Sequence, residues 1–221
     1  MNPEIDFAAL RDEMVRTQIE GRGVSDTRVL DAMRRVPREL FVPQSLASQA
    51  YADRALPLSL HQTISQPYMV AAMTAALQAS STSHVLEVGT GSGYQAAVLS
   101  LLVRDVVSIE RHEALADEAR RRLEAGGYRN VKVVVGDGTE GYPPQAPYDR
   151  IIVTAGAPQV PDALKSQLAE GGRLVIPVGT SYQQDVVILS RSGARFTERR
   201  GDACVFVPLV GRGAWREEPG S

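Results

Sequence analysis

Three alternating glycines, Gly89, Gly91 and Gly93, lie in the segment "VLEVGTGSGYQ", between a predicted strand and a predicted helix. Glycine lets a backbone approach a ligand closely, and the start of a helix offers free N–H groups. The G-x-G-x-G spacing differs from the G-x-G-x-x-G dinucleotide fingerprint, and no Lys-Ser/Thr pair of a P-loop follows it. The segment therefore indicates a nucleotide-type ligand and disfavours both NAD and a nucleoside triphosphate.

Acidic residues stand at three predicted strands around this loop. Glu87, within the first strand, favours a cationic ligand near the glycines. Glu110 ends the second strand, about 20 residues past the loop, where a carboxylate can bind both ribose hydroxyls. Asp137 and Gly138 follow the third strand, where an adenine would lie. Each acid alone could be a solvated strand end, but together they favour an adenosine ligand without phosphates. S-adenosylmethionine, with a sulfonium and an ammonium group, fits this set.

The elements that must position these residues alternate between strand and helix from residue 84 onward. The apolar segments "HVLEV", "VVSIE", "NVKVVVGD" and "YDRIIVTAG" predict strands, and the segments between the first three predict helices. Such alternation predicts right-handed crossovers and a mainly parallel sheet. A helix is predicted over "QVPDALKSQLAEGG", followed by strands at "RLVIPVG", "QDVVILSR" and "ACVFVPLVG". Because no helix separates these last strands, the sheet is expected to finish with antiparallel pairing.

The first 80 residues predict a different organisation, mostly helical and irregular. Apolar residues at helical spacing occur over residues 5–20, and a second helix is expected to begin at Ser25 or Asp26 and to end at Pro37. A further short helix is possible over residues 43–52. Pro67 suits the first turn of a longer helix, "YMVAAMTAALQA". We expect an N-terminal extension over residues 1–80, an α/β core over 81–211 and a flexible tail over 212–221.

Composition excludes several classes of protein. The 221 residues include 43% hydrophobic and 23% charged side chains, as in a globular protein, and the net charge of −2 argues against broad binding to nucleic acid. The single cysteine, Cys204, excludes an intrachain disulfide and a cysteine-rich metal site. No metal-ligand cluster, signal peptide or apolar run of about 20 residues that could span a membrane stands in the chain. A cytoplasmic protein is expected.

The segment "HQTISQPY", residues 61–68, is rich in hydrogen-bonding side chains but contains no recognisable catalytic pair. Its serine, Ser65, stands two residues before the helix predicted at Pro67. A serine in that place can cap a helix. It can also donate a hydrogen bond to an anionic ligand without acting as a base. Both interpretations remain open on the residues alone.

The motifs of the core resemble those of the class I methyltransferases. They are "VLEVGTGSGY", "VVSIER", "GDG", "YDRIIVTAGA" and "LAEGGRLVIPVG", together spanning residues 84 to about 180. The Asn/Asp-Pro-Pro-Tyr/Phe tetrapeptide of amino-group nucleic-acid methylases is replaced by Thr154-Ala155-Gly156-Ala157. The Pro-Cys nucleophile of cytosine methylases is also missing. The resemblance therefore implies a different acceptor.

The N-terminal third narrows this resemblance to one family. The segments "GVSDTRVLDAMRRVPRELFVP" and "LPLSLHQTISQPYMVA", followed by the glycine loop, resemble the bacterial protein-L-isoaspartate O-methyltransferases from about residue 10 to about 210. The resemblance implies a doubly wound Rossmann-like sheet of about seven strands with an N-terminal helical extension over the cofactor. It also implies methyl transfer from S-adenosylmethionine to the free α-carboxyl of isoaspartyl residues in damaged proteins. S-adenosylhomocysteine would be the product.

The resemblance also assigns roles to single residues. Ser65 would be catalytic. The cofactor site would comprise Gln62, Thr63, Ile64, Glu87, Gly89, Gly91, Ser92, Gly93, Glu110, Asp137 and Gly138. The substrate would contact Ser65, Gln66, Val205 and Val207. Gln66 replaces a small residue that some family members have at this position. Residues 205–209 could equally be a plain core strand.

The absence of a catalytic base agrees with this chemistry. A carboxyl group with an ordinary pKa of ~4 is already an anion at neutral pH, so it can attack a methyl group without a general base. The protein then has only to align the reacting atoms and exclude water. Three alternatives remain at this point: a methyltransferase for a small carboxylate or amine, a nucleic-acid methylase, and a binding module without catalysis.

Overall fold

A computed structural model of the protein describes residues 5–216. In its N-terminal part, α1 (Phe7–Met14) continues into a π-helical turn, Val15–Ile19, and α2 spans Thr27–Arg35. The side chain of Asp26 accepts a hydrogen bond from the Arg28 amide at 3.0 Å, which confirms Asp26 as the cap of α2. Two 3₁₀ turns follow, Arg38–Phe41 and Gln44–Gln49.

A two-stranded hairpin and a long helix complete the extension. Strands β1 (Leu56–Pro57) and β2 (Thr63–Ile64) pair antiparallel, and α3 (Pro67–Leu77) begins at the expected proline. The turn between the strands places Leu60 and His61 in the left-handed region, with φ near 56° and 55°. Such a turn usually needs glycine or asparagine at these positions.

A seven-stranded sheet forms the centre of the molecule, as expected. Its strands stand in the order β5-β4-β3-β6-β7-β8-β9, and β8 runs antiparallel to both of its neighbours, β7 and β9. The elements are β3 (His84–Val88), α4 (Tyr94–Ser100), β4 (Asp105–Glu110), α5 (Glu113–Ala125), β5 (Val131–Val135), β6 (Tyr148–Val153), α6 (Asp162–Ser166), β7 (Leu168–Gly179), β8 (Gln184–Ser192) and β9 (Arg195–Cys204). The predicted antiparallel end of the sheet is confirmed.

Apolar cores cover both faces of the sheet. On one face Val85, Val106 and Ile152 pack with Met73 and Leu77 of α3. On the other face the core includes Leu86, Ile109, Ile151, Val153 and Leu164. A third cluster joins α1 and α2 to α4 through residues such as Met14, Met33, Phe41 and Tyr94. The N-terminal extension therefore shares its core with the α/β unit, because Tyr94 belongs to α4.

Two predicted elements near the C-terminus were wrong in their bounds. The helix expected over residues 159–172 is limited to Asp162–Ser166, and β7 already begins at Leu168. The last strand is not "ACVFVPLVG" but β9, whose side chains are exposed except at Cys204. An edge strand without a buried face carries no apolar pattern, so the sequence did not reveal it.

The apolar residues after β9 instead cross the carboxyl ends of the parallel strands. The Gly156 amide donates to the Val207 carbonyl at 2.8 Å, and the Leu209 amide donates to the Gly156 carbonyl at 2.7 Å. We call residues 205–210 the crossing segment. Next to it, the Arg212 and Gly213 amides donate to Asp137 and Thr139, both at 2.9 Å. The flexible tail expected over residues 212–221 stays a prediction. Residues 217–221 lie outside the described part of the chain.

Candidate active site

One cleft opens at the carboxyl ends of β3, β4 and β6, between the β1–β2 hairpin and the crossing segment. Ten of the residues proposed from the sequence line it: Gln62, Thr63, Ile64, Ser65, Gly89, Gly91, Ser92, Glu110, Gly138 and Val207. The predicted residues that do not line it are Glu87, Gly93, Asp137, Gln66 and Val205. Tertiary folding thus joins five stretches of the sequence, at residues 62–65, 89–92, 110, 138 and 207.

The glycine loop is shaped by positive φ angles and by one neighbouring side chain. Gly89 has φ +96° and Gly91 has φ +52°. A Cβ on Gly89 would collide with Thr154 Oγ1, which donates a hydrogen bond to the Gly89 carbonyl at 2.6 Å. Gly89 is therefore required both by its backbone conformation and by close contact with β6.

Gly93 and Ser92 have different surroundings, although they are neighbours. Gly93, with φ +88°, lies at the start of α4, where an added Cβ would meet Ala119 and Leu123 of α5. Its place indicates helix packing. Ser92 lines the cleft, and its Oγ accepts a hydrogen bond from the Tyr94 amide at 3.3 Å. Their predicted contacts with a cofactor stay predictions.

The carboxylate of Glu110 lies at the floor of the cleft and holds the glycine loop. It accepts hydrogen bonds from the Gly91 amide at 2.9 Å and from the His112 amide at 3.0 Å. Each oxygen of a carboxylate has a second lone pair. Glu110 can therefore fix the loop and still accept two hydroxyl groups from a ligand in the cleft, as the sequence predicts.

Glu87 is buried beneath the loop rather than exposed to the cleft. Its Oε2 lies 2.6 Å from Ser108 Oγ, which lies 2.6 Å from Thr90 Oγ1, while its Oε1 has no hydrogen-bond partner among the described residues. Burial raises the pKa of Glu87 to about 8; the hydrogen bond from Ser108 opposes this rise, and the charge of Glu110 adds to it. The side chain therefore supports the loop from below as a largely neutral acid at pH 7.

Asp137 and Gly138 are neighbours in the chain but have different surroundings. The Asp137 carboxylate accepts hydrogen bonds from Thr139 and from the Arg212 amide. Burial raises the pKa of Asp137, but these hydrogen bonds outweigh it and leave the pKa below its ordinary value. Gly138 lines the cleft, and a Cβ there would collide with Val88 Cγ1. A glycine at this position keeps the floor of the cleft open beside β3.

Ser65 stands at the cleft with a free hydroxyl. Its side chain makes no hydrogen bond with the described residues, whereas its carbonyl accepts one from Arg38 Nη2 at 2.8 Å. The residue that caps α3 is Gln66, without a side-chain hydrogen bond to the helix. The interpretation of Ser65 as a helix cap is therefore wrong in this structure, because the hydroxyl bonds no amide of α3.

Gln66 and Val205, two of the proposed substrate contacts, lie at the rim. The side-chain Nε2 of Gln66 donates to Asp53 Oδ1 at 2.7 Å, so this side chain already has a partner within the protein. Val205 is 72% exposed, and Val207 lines the cleft. The backbone of Val205 makes no hydrogen bond with the described chain. At Val205 the crossing segment thus presents an unbonded backbone, whereas its Val207 carbonyl and Leu209 amide are already bonded to Gly156.

Among the residues that the sequence did not predict, three shape the site. Thr154 restrains the loop, Tyr94 lines the cleft, and Arg38 holds the Ser65 carbonyl. Thr154 follows β6 directly, a position that favours ligand contact in a parallel sheet. Arg38 carries a weaker signal: it is a single cation within the apolar segment "VPRELFVP".

Residues 5–216 offer neither a metal site nor a membrane-spanning helix. These residues contain no group of three or more His, Cys, Asp or Glu side chains that could hold a metal ion. No helix among them is long and apolar enough to cross a membrane.

The sheet, the loop and the carboxylate at the end of β4 define an α/β fold of the class I methyltransferase type. The model of the family described as protein-L-isoaspartate(D-aspartate) O-methyltransferase matches residues 9–214, and the chain belongs to this family. A relative from Methanoculleus marisnigri, named protein-L-isoaspartate O-methyltransferase, is 54% identical over 209 residues, or 94% of each chain. A relative from Pelobacter propionicus is 55% identical over 208 residues, or 93% of this chain and 92% of the other.

Solved structures give the same result for the fold. A protein-L-isoaspartate O-methyltransferase superposes with a TM-score of 0.82 and 31% identity over 92% of this chain and 67% of the other. A Plasmodium falciparum protein, solved in complex with S-adenosyl-L-homocysteine, has a TM-score of 0.78 and 22% identity, over 90% of this chain and 98% of the other. At that identity the second likeness concerns the fold alone.

Proposed function

We propose that the protein transfers a methyl group from S-adenosylmethionine to the free α-carboxyl of L-isoaspartyl residues in damaged proteins. D-aspartyl residues would be a second acceptor. The methyl ester would favour return of the isoaspartyl residue to a normal peptide bond through a succinimide. One observation carries the proposal: Glu110, the glycine loop and the free Ser65 hydroxyl meet in a single cleft. Membership of the family over residues 9–214 supports this choice of acceptor.

The residues of the cleft fit the cofactor. Gly89, Gly91 and Gly138 leave room where a Cβ would be strained or would collide, so that a ligand can lie against the backbone. Glu110 would accept hydrogen bonds from the ribose hydroxyls. When bound, S-adenosylmethionine supplies a methyl group attached to a sulfonium sulfur. The sulfur is a good leaving group. The protein would hold the adenosine part and leave the methyl carbon open toward Ser65.

Ser65 would orient the acceptor. Its hydroxyl can donate to one oxygen of the substrate carboxylate and leave the other oxygen to attack. Because the carboxylate is an anion at neutral pH, no side chain has to remove a proton. Holding two reactants in line can supply roughly 7–11 kcal/mol of the barrier, so positioning alone is a sufficient task for the protein.

The crossing segment would bind the peptide that carries the isoaspartyl residue. The open backbone of Val205 and the place of Val207 in the cleft favour an extended peptide, which can pair with an exposed strand edge. A small carboxylate or amine would leave this edge unused. The segment therefore favours a protein substrate over the small-molecule alternative.

A matched pair of peptides tests the function. One peptide carries isoaspartate and the other carries normal aspartate at the same position, and both are incubated with methyl-labelled S-adenosylmethionine. We expect base-labile methyl ester on the isoaspartyl peptide alone. Equal labelling of both peptides, or no labelling of either, would contradict the proposal. Labelling of a free small carboxylate in preference to both peptides would favour the alternative acceptor.

A further inference from the structure

Arg38 is a fully buried arginine behind the candidate active site. Its Nε donates to the Ala50 carbonyl at 2.7 Å, and its Nη2 donates to the Ser65 carbonyl at 2.8 Å. The guanidinium carbon lies 4.8 Å from the centre of the Tyr94 ring. One side chain therefore joins the 3₁₀ turn at Arg38–Phe41 to Ala50, at the end of the next turn, and to Ser65.

The charge of Arg38 has no carboxylate to balance it within residues 5–216. Arg38 forms no ion pair there, and its Nη1 has no hydrogen-bond partner. The next residue, Glu39, is bound to Tyr51 and lies 3.7 Å from Arg11. Burial lowers the pKa of Arg38 to about 10, so the group remains charged at neutral pH. Burying such a charge is unfavourable, and packing alone would be served better by an apolar residue.

The bond to Ser65 falls between two anchored positions of the chain. Ile64 is buried within β2, and Pro67 begins α3, so the chain is anchored on both sides. Between these anchors the Ser65 side chain makes no bond of its own. The hydrogen bond from Arg38 restrains the peptide group after Ser65, and with it the backbone position from which the hydroxyl extends.

We propose that Arg38 is a positioning residue for methyl transfer, which holds the Ser65 backbone so that its hydroxyl points at the acceptor carboxylate. This inference rests on the proposed function. The rigid, planar guanidinium bonds two carbonyls at once in a fixed geometry. A lysine ammonium keeps the charge but has one flexible centre in place of the fork. The geometry of the fork, rather than the charge alone, would set the position of Ser65.

A double-mutant cycle with Ser65 tests this role. Arg38→Lys is expected to lower kcat about tenfold, because small displacements of a positioning group have large effects on rate. The affinity for S-adenosylhomocysteine should stay within about twofold, measured by calorimetry. In the background of Ser65→Ala, Arg38→Lys should lower kcat by less than about twofold, since Arg38 would have no hydroxyl left to direct.

Arg150→Lys is the matched control. Arg150 also donates to a backbone carbonyl, that of Gln78, through Nε and Nη2 at 3.3 and 3.1 Å, and burial likewise lowers its pKa. It lies on β6 near the end of α3, outside the lining of the cleft. Arg150→Lys should lower thermal stability and leave kcat unchanged.

Three outcomes would overturn the inference. The first is equal loss of kcat from Arg38→Lys with and without the Ser65 hydroxyl, which would mean independent action. The second is parallel loss of kcat and cofactor affinity, and the third is failure of Arg38→Lys to fold; both would assign Arg38 to the structure alone. If the unmodified protein labels no isoaspartyl peptide, the proposed function itself fails, which is a separate result.

Discussion

The ionisable side chains near the two ends of strand β3 differ in how fully they are hydrogen-bonded. At the first residue, both ring nitrogens of His84 are bonded, Nδ1 to Asp105 and Nε2 to the Gln145 carbonyl at 2.9 Å. Three residues later, Glu87 is completely buried and its Oε1 has no partner among the described residues. The first arrangement stabilises the fold, and the second reduces its stability beside the proposed cofactor site.

The same contrast extends to the neighbouring arginines. Near the amino end, Arg28, Arg150 and Arg173 donate to the Ala79, Gln78 and Ala76 carbonyls at the end of α3. Cations are favourable at a helix C-terminus. Near the cleft, Arg38 keeps one nitrogen unbonded. Two of the four buried polar atoms that have no hydrogen-bond partner among the described residues, those of Glu87 and Arg38, thus lie next to the proposed site.

The largest expected effect concerns Glu87. The unfolded pKa is 4.5 and the folded pKa about 8, so the folded protein holds more protons between these values. Stability is therefore lost as the pH rises from about 4.5 to 8. Glu87→Gln removes this loss and should be more stable than the unmodified protein at pH 9, by roughly 3–5 kcal/mol, with a small difference at pH 4.5. Urea unfolding at both pH values measures it, and a difference independent of pH would contradict it.

A smaller effect is expected for Ser65→Ala. Removing one donor from a catalytic site costs about 100-fold in rate, so kcat should fall by about that factor. Binding of S-adenosylhomocysteine and thermal stability should change little, because the hydroxyl bonds nothing in the described chain. Ser166→Ala, at an exposed serine of α6, is the control. A collapse of cofactor affinity would instead place Ser65 in the cofactor site.

Gly89→Ala should have an intermediate effect. The added Cβ meets both a positive φ and the hydroxyl of Thr154, so we expect a loss of about 2 kcal/mol in stability. Binding of S-adenosylhomocysteine should weaken as well. Gly127→Ala separates the two causes, since Gly127 also has positive φ, +75°, but its Cβ would meet nothing within 4 Å. Equal effects of the two substitutions would show that close contact with β6 is unimportant.

The smallest effect is expected for His84→Gln. The substitution should cost about 1–2 kcal/mol, because it disrupts the hydrogen bonds to Asp105 and the Gln145 carbonyl and the stacking on Tyr148. The kcat of the folded variant should be unchanged at 25 °C. Denaturant unfolding and steady-state kinetics measure both quantities. A large loss of kcat would remove the distinction between the two ends of β3.

Most of the parallel sheet and the glycine loop could be predicted because buried strands and helix faces leave a periodic apolar pattern. The bounds of α6 and the position of β9 could not be predicted in this way. The side chains of β9 face solvent, and its pairing comes from backbone bonds with β8, which require no particular side-chain pattern. The crossing segment is apolar and resembled a strand, but it packs over strand ends instead.

The sequence by itself determined the fold class, the ligand type and the residues that could meet it, since these depend on residue types and local spacing. Only the tertiary structure decided their tasks. It showed that Gly93 packs against α5, that Asp137 bonds Thr139 and Arg212, and that Ser65 does not cap α3. The reason is physical: whether a polar group is bonded or free depends on neighbours that are distant in the chain, as Arg38 and Ser65 are.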